Sequence, residues 1–138
     1  MHTNAPYLLV LPVVFESLPR AAAFVEEHLD TIACSMKARA QLSVILDEIP
    51  SNIVRYAKTA ETSEICFSFD PETRTVHLTF TDDGEPYNPL RHREPDVSLP
   101  VEKRQAGGLG IFLVRKLADA VSYEYADGKN ILRVDKKI

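Results

Sequence analysis

Gly107-Gly108-Leu109-Gly110-Ile111-Phe112-Leu113-Val114 sets three glycines within four residues directly ahead of an apolar helical run. Glycine starts a helix poorly, so this density points to backbone that must approach something closely. The first N–H groups of a helix lack intrahelical partners, and its peptide dipoles favour an anion there. Phosphate suits such an end. The stretch lacks the Gly-Lys-Ser/Thr ending of a P-loop, so the phosphate reading rests on bare main-chain amides at the opening of the helix.

Two further patches precede it in a fixed order. Glu48-x-x-x-Asn52 puts a carboxylate and an amide one helical turn apart on the same side, where a metal-bound polyphosphate fits. Asp82-Asp83-Gly84 ends a strand pattern, a place where Asp and Gly equally serve an ordinary turn. Each of these two is commonplace alone. Their joint occurrence in helix, strand end and loop-into-helix contexts points to a nucleotide.

Working outward, Tyr7 to Phe15 reads as a first strand. It is not read as a signal peptide, because no Lys or Arg precedes it and Pro12 and Glu16 interrupt or end it. Leu18, Ala22, Val25, Leu29 and Ile32 make the apolar stripe of a first helix. A second helix runs from about Met36 to Ala57. Alternation in Ile65, Phe67, Phe69 and in Val76, Leu78, Phe80 predicts two antiparallel strands joined across Asp70–Arg74. A third helix is expected from Ile111 to about Ala120. Strands at Val121–Tyr125 and Ile131–Asp135 then flank a hairpin turn over Asp127–Asn130. The resulting fold class is α+β: a two-layer sandwich, with a mixed or mostly antiparallel sheet and helices on one face.

Residues 85–106 show no sustained periodicity, and Pro86, Pro89, Pro95 and Pro100 break any helix or central strand. A segment of that length linking two of the three motifs reads as a functional lid. The 138 residues are expected to form a single domain, 1–138. Net charge is -4 with Lys and Arg scattered, which disfavours nucleic acid and membrane surfaces as partners. No apolar segment approaches the roughly 20 residues needed to span a bilayer, so a cytoplasmic location is expected. Cys34 and Cys66 show no metal or redox spacing and read as buried reduced thiols. His2, His28, His77 and His92 are dispersed and read as surface or structural residues.

Asp47-Glu48-Ile49-Pro50-Ser51-Asn52-Ile53-Val54-Arg55-Tyr56-Ala57 resembles the N-box of the gyrase, chaperone, histidine-kinase and MutL superfamily of ATPases. Asp82-Asp83-Gly84-Glu85-Pro86-Tyr87-Asn88-Pro89 is similar to its first glycine box, and Gly107 to Asp119 to its second. Among its branches, the short chain most resembles the anti-sigma-factor serine/threonine kinases of bacterial partner switching. That resemblance implies ATP and Mg2+ as cofactors, Asn52 as the magnesium ligand and Glu48 as the general base. It implies Asp82 as the acceptor for the adenine amino group, with Gly84 leaving space beside the base. Gly107, Gly108, Leu109 and Gly110 would line the phosphates, with Lys103, Arg104 or Arg115 as further positive charge.

The implied activity is phosphorylation of a small anti-anti-sigma-type antagonist protein, with a sigma factor or other client bound on the same surface. A homodimer through the first strand and helix is implied too. Two features depart from the family pattern: Glu85-Pro86 stands where a second glycine is common, and Pro50 lies between Glu48 and Asn52, where a helix is expected to kink. The proline leaves open a second reading, a non-catalytic ATP-gated protein-binding module.

Overall fold

The computed structural model describes residues 6–91 and 108–138. Gly107 and positions 92–106 of the expected lid lie outside the described residues.

Five strands form one wholly antiparallel sheet in the order β1-β2-β3-β5-β4: β1 (Tyr7–Pro12), β2 (Thr62–Asp70), β3 (Thr75–Asp82), β4 (Ala120–Ala126) and β5 (Lys129–Lys137). Among the described residues three α-helices, α1 (Leu18–Leu29), α2 (Met36–Tyr56) and α3 (Gly108–Leu117), form the second layer. The period-two pattern sends Ile65, Phe67, Val76, Leu78, Phe80, Leu132 and Val134 inward. They meet Val25 and Leu29 of α1, Leu42, Ile45 and Ile49 of α2, and Val114 of α3 in one continuous core. Each such side chain contributes about 1.5–3 kcal/mol by leaving water, which is why the helices share one face.

Local signals set the ends of the elements. Ser35 caps α2 by accepting from the Ala38 N–H at 3.1 Å. Lys136 Nζ donates to the Leu117 carbonyl at 2.7 Å and so satisfies the last turn of α3. α2 is helical without a break from Met36 to Tyr56, through Pro50. Proline removes one helical N–H, and the neighbouring Ser51 hydroxyl donates to the Asp47 and Glu48 carbonyls at 2.7 and 3.2 Å. The buried ring of Pro50 faces an apolar recess shared with Leu11, Ser17 and Ile65.

Three expectations shift. The third helix begins at Gly108, not Ile111, so Gly108 and Gly110 fall in its first turn. The β4–β5 turn is two residues, Asp127 and Gly128, both at positive φ (54° and 74°), the tight type that an Asp-Gly pair favours. Asn130 therefore belongs to β5, directly across from Asp82. The cysteines are free but only partly buried, because Cys66 points to the uncovered polar face of the sheet and Cys34 lies in the loop before α2.

Candidate functional site

A cleft opens between α2, the end of β3 and the start of α3, lined by Asn52, Asp82, Tyr87, Ile111, Tyr123 and Asn130 over a floor of Ile49, Phe80 and Leu132. Residues of all three sequence patches contribute to its surroundings. Asn52 lies in its wall, with no hydrogen bond to its amide from any described residue. Glu48, one turn earlier, lies against α3: a Cβ built on Gly110 would fall 2.0 Å from its Oε2. The carboxylate thus rests beside the first turn of the helix whose N-terminus favours an anion.

Asp82 is 4% exposed. Its Oδ1 accepts from the Gly84 N–H at 2.9 Å and from Asn130 Nδ2 at 2.9 Å. Burial pushes its pKa above the ordinary carboxylate value, while the Asn130 and Gly84 donors pull the other way. Asp83 does different work. Its Oδ1 accepts from the Glu61 and Thr62 N–H groups at 2.7 and 3.0 Å, holding the start of β2, and those two donors lower its pKa. Of the adjacent acids, Asp82 serves the cleft and Asp83 the scaffold.

Gly84 is required by packing within the protein. A Cβ there would stand 2.8 Å from the Lys58 carbonyl and 3.0 Å from Asp82 Oδ1. The closeness ties the end of α2 to the end of β3, and the Glu85 N–H donates to the same Lys58 carbonyl at 2.9 Å. Arg115, expected as extra charge for phosphate, donates from Nη1 to the Leu90 carbonyl at 3.0 Å and so links α3 to the beginning of the 85–106 segment. Lys103 and Arg104 lie outside the described residues.

Residues not singled out in the sequence also shape the site. Asn130 bonds Asp82, Tyr123 and the backbone of Gly84, Glu85 and Tyr87. Tyr87 stacks on Tyr56 at 5.8 Å between ring centroids, beside an open hollow that also takes in Arg55 and Lys58. Burial raises the pKa of Tyr87 and Tyr123, so both present neutral hydroxyls at physiological pH. The Asp-Gly pair at 127–128 was the available signal for Asn130: a two-residue turn moves it into the strand.

Comparison with known proteins places the chain in a family. The family model described as histidine kinase-like ATPase domain matches residues 11–136. The chain belongs to that family. It is 32% identical over 99 residues to the serine/threonine-protein kinase BtrW of Bordetella bronchiseptica, covering 71% of this chain and 70% of that protein. It is 27% identical over 95 residues to the serine-protein kinase RsbW of Bacillus cereus, covering 66% of this chain and 59% of RsbW. The chain thus spans under two thirds of the length of that second relative. The solved structure of the RsbU and RsbW domains of Rv1364c from Mycobacterium tuberculosis superposes with a TM-score of 0.66 over 96% of this chain and 32% of that one. At 14% identity that likeness carries the fold.

Proposed function

We propose that this member of the histidine kinase-like ATPase family is an ATP- and magnesium-dependent serine/threonine protein kinase of the partner-switching type. It would transfer the γ-phosphoryl group of ATP to a hydroxyl of a small antagonist protein and bind a sigma factor or other client. The observation that carries this is that Asn52 and Asp82 line one cleft reaching Ile111 of α3, while Glu48, one turn before Asn52, lies against Gly110 in the first turn of the same helix. The names of the relatives, serine/threonine-protein kinase and serine-protein kinase, supply the reaction class.

The residues fit the nucleotide and the metal. Asp82 keeps a carboxylate at the bottom of a half-apolar cleft, suited to an exocyclic amine over a flat apolar floor. Asn52 offers an amide oxygen, the hard ligand that magnesium accepts while it keeps most of its waters. Magnesium, when bound, neutralises charge on the phosphate oxygens. The α3 amides of Gly108, Leu109 and Gly110 take the phosphates. Glu48 accepts the proton of the attacking hydroxyl as the new P–O bond forms and ADP leaves.

Residues 85–106 would close over bound nucleotide as a lid. A homodimer through β1 and α1 is supported by the edge position of β1 and by the exposure of Tyr7, Leu8 and Val10 on it. No helix among the described residues is long and apolar enough to cross a membrane; a cytoplasmic location belongs to the proposed role in partner switching. The second reading is an ATP-gated binding module without transfer; the continuity of α2 through Pro50 keeps Glu48 and Asn52 one turn apart and favours the first.

Incubation with labelled ATP, magnesium and a candidate antagonist separates the two. Transfer that is lost in Glu48→Ala while ATP binding persists supports the kinase. Binding without transfer to any antagonist supports the module.

A further inference from the structure

Every polar atom of the Asn130 side chain is engaged. Its Oδ1 accepts from the Tyr87 N–H at 2.9 Å and from the Tyr123 hydroxyl. Its Nδ2 donates to Asp82 Oδ1 at 2.9 Å and to the Glu85 carbonyl at 2.8 Å, with the Gly84 carbonyl at 3.3 Å. Two partners of the oxygen can donate, and all three partners of the nitrogen accept. The amide therefore has one orientation, because the flipped one sets its N–H groups against the Tyr87 N–H and its oxygen against three oxygens.

That orientation makes the opposing carboxylate asymmetric. Oδ1 of Asp82 takes two donors, from Asn130 and Gly84. No described residue donates to Oδ2.

We infer that Asn130 is a positioning residue for purine selection: by holding Asp82 Oδ1, it leaves Oδ2 as a lone acceptor toward the base, which favours an exocyclic amine over a carbonyl. The inference rests on the nucleotide reading of the cleft and deepens it. Adenine presents an amino group where guanine presents an oxygen, so a fixed acceptor attracts the first and repels the second. Without the Asn130 N–H, the carboxyl is free to turn and to carry a proton toward the cleft, and a protonated carboxyl can donate to a carbonyl. The same side chain fixes the main chain from Gly84 to Tyr87, so the base reader and the segment leaving β3 share one anchor.

The test is calorimetric titration of the full chain with ATP and with GTP, each with magnesium, on the wild type, Asn130→Ala and Tyr123→Phe, with circular dichroism melts alongside. The wild type is expected to prefer ATP. Asn130→Ala should cut the ATP:GTP affinity ratio at least tenfold, chiefly by weakening ATP. Tyr123→Phe keeps the ring and removes one of the two donors that orient the amide, so it should cut the ratio several-fold while the chain stays folded. An unchanged ratio in a folded Asn130→Ala overturns the inference, even where its melting temperature falls, since that marks a purely structural role. Should Asn130→Ala not fold, an unchanged ratio in Tyr123→Phe overturns it equally. A wild type that binds neither nucleotide overturns the nucleotide reading itself, and this inference with it.

Discussion

A methyl group added at Gly110 would lie 2.0 Å from Oε2 of Glu48, so the candidate base and the glycine-rich start of α3 occupy adjoining space. The two residues are 62 positions apart in the chain and meet because α3 packs against α2 beside the sheet. The atom in conflict is the end of a flexible side chain, which can swing away at small cost. Stability is therefore not what the glycine protects; the place of the carboxylate is.

Gly110→Ala should accordingly fold with a melting temperature close to that of the wild type, since alanine also favours a helix interior by about 1 kcal/mol over glycine. Phosphotransfer to an antagonist should fall at least tenfold, because a base displaced by an ångström or more no longer meets the attacking hydroxyl. Nucleotide affinity should change by less than about threefold, well under 1 kcal/mol. Steady-state kinetics with a split between kcat and the KM for ATP checks this. Equal transfer rates would remove Glu48 from the catalytic role.

Asp82→Asn should separate stability from binding. The substituted side chain still offers an oxygen to the Gly84 and Asn130 donors. It turns an NH2 toward the base, where a donor meets a donor. ATP affinity should drop at least tenfold, about 1.4 kcal/mol. Burial raises the folded-state pKa of Asp82 above its unfolded value, so the ionised form costs stability at neutral pH. That cost fades as pH falls through the raised pKa. Asp82→Asn should therefore melt no lower than wild type at pH 7, and any advantage should vanish on acidification. A lower melting temperature at pH 7 with unchanged ATP affinity would contradict both parts.

The patterns that read clearly were those governed by local periodicity. The alternation in β2 and β3 and the stripe along α2 each bury one face, and all three elements lie within a residue or a few of where the periodicity puts them. The cleft was legible at Asn52 and Asp82 through the joint occurrence and order of the three patches, each of the two being commonplace alone. Asn130 was not, because the Asp-Gly turn only moves it into β5: its role comes from strand pairing with Asp82, 48 residues away. Gly84 was legible as special, but the backbone of Lys58 that crowds it lies outside its own turn. A proline inside a helix lacks the N–H that would meet the carbonyl four residues back, yet α2 stays helical from Met36 to Tyr56 with the Pro50 ring buried.

Asp83→Ala should weaken the scaffold and spare base recognition. It leaves the Glu61 and Thr62 N–H groups without their carboxylate partner. The site is open to water, so the loss should be about 1 kcal/mol and not the several expected of a buried charge. Those donors depress the folded-state pKa of Asp83, so its stabilisation is present above the unfolded value, about 3.9, and disappears as pH falls through the lowered one. Chemical denaturation should show a gap between wild type and variant at pH 7 that closes in strong acid. A gap that stays constant down to pH 2 would mean that the carboxylate charge is not what holds the start of β2.

Pro50→Ala tests whether the proline tunes the site or merely fills space. Alanine restores a helical N–H and gains about 3 kcal/mol of intrinsic helix preference. It also removes ring methylenes from the apolar recess shared with Leu11 and Ile65, at about 0.8 kcal/mol each before any cavity penalty. These opposing effects are of similar size, so the net change in unfolding free energy should stay within about 1 kcal/mol. Because α2 is already continuous across Pro50, Glu48 and Asn52 keep their one-turn spacing in both forms. The KM for ATP and the phosphotransfer rate should then match wild type within about threefold, under 1 kcal/mol. A rate gain of tenfold or more in Pro50→Ala would show instead that the proline holds the base and the metal ligand out of line.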